Sequence, residues 1–173
     1  MLQPGWETDY EGRPAVHPVA CIGRIVAHQR LDDGRYNLQL RGVSRVRIVE
    51  EAATDKLYRS ARVEVLSDIP VSHPDIEHEL RRRLRKAVPK WHQPKEPAKG
   101  FFKKLLASKL PFGMIGDLLA CMLPVTVEVK QRLLATLDVE QRLLQLVEYL
   151  EGGELMPLDP AETPRFPPDF SVN

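Results

Sequence analysis

The strongest chemical signal in the sequence is a run of positive charge. From Arg81 to Lys104 there are ten basic residues and one acid, so this segment carries a net charge of +9 while the whole chain carries +1. Such a charge density could bind the phosphates of a nucleic acid. The alternative, which we favour, is a solvated helix face whose charge is balanced by acids on neighbouring helices. The candidate anion-binding residues are Arg81, Arg82, Arg83, Arg85 and Lys86.

Aromatic and methionine side chains accompany this basic run. Phe101-Phe102 follows a proline-rich approach, and Phe112-Gly113-Met114 comes directly after Pro111. Such side chains adapt to varied apolar partners, so they could form a peptide-binding surface. For each of them an ordinary core position is the alternative interpretation. The candidate peptide-binding residues are Phe101, Phe102, Phe112 and Met114.

The residue types of enzymes are present, but not in the arrangements that catalysis requires. No two of the five histidines have the i, i+4 spacing of a helical metal site, and the sequence contains neither a phosphate-binding glycine loop nor a GxSxG serine elbow. Cys21 and Cys121 lie far apart and outside any metal-binding cluster, so we expect them to be reduced, buried small hydrophobes. We predict no catalytic residue, metal or cofactor.

The elements that would position the candidate residues begin with strands. From Val19 to about Leu66 apolar and polar residues alternate with period two, which indicates half-buried strands. Between two of these runs, Asp33-Gly34 is typical of a tight hairpin turn. The pattern predicts an antiparallel meander with one buried and one solvated face.

The second half has helical spacing, with a proline-punctuated break from Pro89 to Pro97. Thr126 is expected to cap one helix. Asp138 followed by Gln141 indicates the start of another helix, which should end at Gly152-Gly153. The residues expected on one face of that helix are Val139, Leu143, Leu146, Val147 and Leu150.

These patterns divide the chain into three parts. Residues 1–71 form a β-rich lobe, and residues 72–153 form a helical lobe with the basic, proline-rich stretch near 81–99. Residues 154–173 are a tail with five prolines, too many for a helix or a central strand. No stretch approaches the roughly 18 apolar residues of a membrane span, and the start does not resemble a signal peptide, so we expect a cytoplasmic protein with no membrane partner.

Several segments occur in a recognisable order and spacing. They are Cys21–Ile25, Leu31–Leu38, Leu40–Ile48, Tyr58–Glu64, Leu118–Pro124 and Lys130–Leu143. Together they resemble the N-terminal substrate-binding domain of Lon proteases. The resemblance implies an α+β fold, with a PUA-like antiparallel β lobe followed by a helical lobe. It also implies a non-enzymatic module that recognises unfolded or apolar-rich polypeptides, with a separate protease or ATPase as a further partner.

The chain departs from the family pattern at its start and in the basic stretch. Such domains usually open with an apolar, proline-containing strand, whereas this sequence begins near the loop that Trp6 to Pro18 represents. We therefore expect the first strands to be absent and an exposed sheet edge to allow self-association. The stretch from Arg81 to Lys99 resembles an insertion, and nucleic-acid association through residues 81–104 is the alternative function.

The first prediction concerns enzymatic activity. Because no phosphate-binding loop or activated nucleophile is recognisable, the purified protein should neither hydrolyse ATP nor cleave casein. Phosphate release and casein proteolysis assays check this. ATP turnover that stays with the protein through rigorous purification would contradict it.

Overall fold

A computed structural model describes residues 2–9, 12–56, 58–91, 99–122 and 125–152. The proline-rich tail 154–173 and residues 92–98, with Lys95 and Glu96, lie outside these residues. The chain divides into two compact units, the first ending at Ser67 and the second beginning at Asp68. The sequence pattern placed this boundary a few residues later, after Val71.

The first unit is an antiparallel sheet. Its described strands are β1 (Val19–Arg30), β2 (Tyr36–Ala52) and β3 (Ser60–Leu66), in the order β1-β2-β3. The expected hairpin joins β1 to β2. Gly34 has a φ of 87°, and the Leu31 N–H donates to the Arg35 carbonyl at 2.8 Å. Only the glycine of the Asp-Gly pair takes a positive φ, so the turn is wider than a two-residue hairpin.

The sheet keeps the expected pairing but not the expected burial. β2 and β3 pair Val46 with Val65 and Ile48 with Val63, as the alternation suggests. Yet Leu40 and Val65 are 64% and 65% exposed, and the buried residues described in this unit are Pro14, Val19 and Val46. The prediction of one buried face is therefore wrong. Alternation specifies which residues share a face, whereas coverage of that face needs a second layer.

The second unit is helical. Its described helices are α1 (Pro74–Trp91), α2 (Lys99–Ala107), α3 (Phe112–Met122), α4 (Val127–Ala135) and α5 (Val139–Gly152). The expected break from Pro89 to Pro97 does not begin at Pro89, because α1 runs through this proline to Trp91; its remaining residues, 92–97, lie outside the described residues. The predicted caps are confirmed. The Val129 N–H donates to Thr126 Oγ1 at 3.4 Å, and the Gln141 N–H donates to Asp138 Oδ1 at 3.0 Å.

The core of the helical unit is built on α5. All five residues predicted for its apolar face are at most 3% exposed. They pack in one cluster with Leu80, Leu84 and Val88 of α1 and with Ile115 and Leu119 of α3. Because burial of apolar surface contributes roughly 25 cal/mol per Å² to stability, this cluster is the main source of stability in the unit.

Candidate functional site

The helical unit contains a cleft of about 480 Å³. It lies between the segment that precedes α1, the start of α3 and the start of α5. Most of its walls are apolar, and carboxylates stand among them. The lining residues are Asp68, Pro70, Val71, Glu77, Pro111, Phe112, Gly113, Met114, Asp117 and Val139.

The structure separates the four candidate peptide-binding residues into two pairs. Phe112 and Met114 line the cleft, with Met114 48% exposed. Phe101 and Phe102 lie on α2 and are not among the lining residues. Their rings meet edge to face at 5.7 Å, with Phe102 only 6% exposed in the core and Phe101 44% exposed. Neighbours on a helix point about 100° apart, so one ring packs inward while the other faces solvent.

One of the candidate anion-binding residues supports the cleft instead. The Arg81 guanidinium lies 4.6 Å from the centroid of the Phe112 ring, in cation–π geometry. Its Nε donates to Glu77 Oε1 at 2.8 Å, and its Nη1 donates to the Leu106 carbonyl at 2.9 Å. Arg81 thus holds a cleft-lining ring and a cleft-lining carboxylate in place.

Two further basic residues of the run are also paired with acids. Arg82 Nε donates to Glu79 Oε2 at 2.7 Å, and this hydrogen bond lowers the pKa of the Glu79 carboxyl. Arg83 Nη2 donates to Glu151 Oε2 at 2.6 Å, which raises the pKa of the Arg83 guanidinium. Arg85 and Lys86 are exposed on α1. Glu151 lies on a neighbouring helix, as the interpretation of a balanced, solvated helix face expects, whereas Glu77 and Glu79 lie on α1 itself.

A buried arginine, which the sequence analysis missed, lies behind the cleft. Arg142 of α5 is 2% exposed, and it donates from Nη1 and Nη2 to the two Asp68 carboxylate oxygens at 3.0 and 2.6 Å. Nη1 also donates to the Thr136 carbonyl at 2.8 Å, and Nε lies 3.4 Å from Asp117 Oδ1. A buried charge is tolerated only with such partners. The signal in the sequence was an arginine three residues after Val139, on the apolar face of α5.

Gly113 gives this ion pair its space. A Cβ atom on Gly113 would stand 2.6 Å from Asp68 Oδ2 and 2.9 Å from Arg142 Nη2, closer than real contacts allow. The absence of a side chain therefore lets the start of α3 pass directly over the salt bridge. About one helical turn further along, at Gly116, α3 also passes close to the Leu143 side chain of α5.

Three other expectations concern cysteines, metals and membranes. Cys21 and Cys121 are exposed free thiols, so the prediction that they are buried is wrong. Among the residues that the structure describes, no group of three His, Cys, Asp or Glu side chains could hold a metal ion. No helix in the described ranges is long and apolar enough to cross a membrane.

The described elements form an α+β fold, in which an antiparallel sheet precedes a helical unit along the chain. The family model for the substrate-binding domain of the ATP-dependent protease La (LON) matches residues 3–152. The chain belongs to this family.

Similar proteins agree with this assignment. The chain is 28% identical over 149 residues to Lon protease 2 of Myxococcus xanthus and 26% identical over 149 residues to the Lon protease of Anaeromyxobacter dehalogenans, covering 83% of this chain in each case. It spans 17% of the length of either relative. The N-terminal domain of a Mycobacterium avium complex Lon protease shares the fold, with a TM-score of 0.63 at 17% identity over 78% of this chain and 70% of that one.

The second prediction tests the close packing at Gly113. Gly113→Ala forces a Cβ into the Asp68–Arg142 pair and should lower the free energy of unfolding by about 1–3 kcal/mol. Gly100→Ala is the matched control, because Gly100 is also helical and a Cβ there meets nothing within 4 Å. That control should leave stability unchanged or raise it by up to about 1 kcal/mol. Denaturant unfolding measures both, and equal effects would contradict the packing argument.

The third prediction concerns the alternative function. Because three of the five candidate anion-binding residues are already paired with acids, duplex DNA should bind weakly and without sequence preference. Its affinity should fall steeply as salt rises. Fluorescence anisotropy with duplexes of different sequence checks this. Nanomolar, sequence-selective binding at physiological salt would instead favour the nucleic-acid interpretation.

Proposed function

We propose that this chain recognises unfolded or apolar-rich polypeptide segments and catalyses no reaction on them. Membership of the Lon substrate-binding family supports the recognition role. The proposal adds the place where a segment binds, namely the cleft of the helical unit. Because the relatives that this chain matches are named Lon proteases, we further propose that a protease or ATPase acts on the bound segment.

The observation that carries the proposal is the apolar cleft with an exposed methionine at its edge. A volume of about 480 Å³ falls within the roughly 300–1,000 Å³ of pockets that bind ligands. Val71, Pro111 and Phe112 provide rigid apolar walls, while Met114 has a long, polarisable side chain that adjusts to different partners. A site with these properties suits segments that share apolar character but not sequence.

The fourth prediction compares two exposed methionines of α3. Met114 lines the cleft and is 48% exposed, whereas Met122 is 45% exposed and is not a lining residue. Met114→Ser should weaken binding of a permanently unfolded polypeptide, reduced and carboxamidomethylated lysozyme, by about fivefold, because part of a buried methionine contact is lost. Met122→Ser should leave the affinity unchanged. Anisotropy titrations measure both.

Thermal melts of the same variants show whether a loss of affinity results from a loss of stability. Because both methionines are exposed, each serine variant should keep its stability within about 1 kcal/mol of the parent protein. Equal loss of affinity in the two variants, or none in either, would place the binding surface away from the cleft.

The phenylalanine pair tests the remaining candidate positions. Phe102→Ser should lower stability by about 3–5 kcal/mol, as expected for a core ring. Phe101→Ser should be far milder, because its ring is 44% exposed. If Phe101→Ser weakens binding at unchanged stability, α2 extends the binding surface beyond the cleft.

A further inference from the structure

The cleft has an asymmetric arrangement of charge. Asp68, Glu77 and Asp117 line it, with side chains that are 31%, 37% and 40% exposed. The guanidiniums that pair with them are more deeply placed, since Arg142 is 2% and Arg81 is 15% exposed. No described basic residue is among the lining residues.

This arrangement gives the cleft a negative surface. The three carboxylates are more exposed than the two guanidiniums that pair with them, so the cations stand behind the anions. A ligand that enters the cleft therefore meets carboxylate oxygens first. Apolar walls reduce the local dielectric and strengthen the interaction of these oxygens with an entering charge.

We propose that the cleft selects polypeptide segments in which an apolar side chain is flanked by lysine or arginine, and that it disfavours segments flanked by acids. This inference rests on the proposed function and deepens it. The apolar side chain packs against Phe112 and Met114. The basic side chain lays its methylene stem along the apolar wall and brings its charged end to the rim carboxylates, as long cationic side chains do at apolar surfaces.

Two other occupants fit less well. Asp68 and Asp117 already bind the Arg142 guanidinium, and the described residues hold no cluster suited to a metal ion, so a bare cation lacks a ligand set. A nucleic acid would bring its phosphates against the carboxylates. A mixed apolar and cationic peptide satisfies both the walls and the rim.

The test uses three unstructured peptides of one length and one central Phe-Leu pair, flanked by lysine, glutamine or glutamate. The full chain should bind the lysine peptide most tightly and the glutamate peptide least, with about a fivefold difference between these two at low salt, as expected for exposed ion pairs. The difference should shrink as salt rises, because exposed charges are screened.

Variants at Met114 locate the source of this selectivity. Met114→Gln should weaken all three peptides by a similar factor and preserve their order. Met114→Lys places a cation in the cleft without breaking any ion pair of the lining residues, so it should abolish or reverse the preference for the lysine peptide. Met122→Lys adds the same charge to α3 outside the lining residues and should preserve the order.

Each result bears on one of the two proposals. Equal affinity for the three peptides in the parent protein, tightest binding of the glutamate peptide, or an unchanged lysine preference in Met114→Lys would overturn the charge selection and leave the proposed function standing. Failure of all three peptides and of the unfolded polypeptide to bind would overturn the proposed function itself.

Discussion

The ion pair between the buried Arg142 and Asp68 is the interaction that fixes the arrangement of the elements around the cleft. A guanidinium that is 2% exposed would cost several kcal/mol if it lacked partners. Its partners come from the segment before α1, from the Thr136 carbonyl before α5 and, at 3.4 Å, from Asp117 of α3. Main-chain bonds between Ile69 and the start of α5 hold the same segment, with the Val139 N–H donating to the Ile69 carbonyl at 2.9 Å. One side chain thus fixes three parts of the unit.

The same interaction shapes the candidate site. The cleft is bounded by the three parts that Arg142 holds together, so its geometry is set before any ligand arrives, and a preformed site loses less entropy on binding. The ion pair also determines the electrostatics of the cleft. The Arg142 guanidinium lies inside, and the carboxylates of Asp68 and Asp117 lie at the surface. The ion pair therefore gives the cleft a negative rim.

Local signals in the sequence predicted much of the fold, and long-range ones did not. Thr126 and Asp138 act as caps because a cap depends on residues three positions away, and the apolar face of α5 follows from its spacing alone. The acids that pair with Arg81 and Arg82 also lie within one helical turn. Arg142 was missed because its partner Asp68 stands 74 positions earlier in the chain. Two of the four candidate peptide-binding residues, those in the Pro111-to-Met114 motif, line the cleft. For the Phe101-Phe102 pair, spacing could not show which ring turns into the core.

The sheet shows why an apolar pattern alone does not establish a core. Its strands pair as the alternation requires, yet Leu38, Leu40 and Val65 are each more than half exposed. In the helical unit, by contrast, the apolar faces of the helices pack against one another. A contiguous apolar surface on a folded unit is typical of an interaction site. A recognition domain needs such surface, while stability needs apolar surface to be covered. A single layer cannot both cover an apolar surface for stability and expose that surface for binding. In the helical unit the two requirements are met by different residues, because the core cluster is buried between helices while apolar side chains such as Met114 stay exposed.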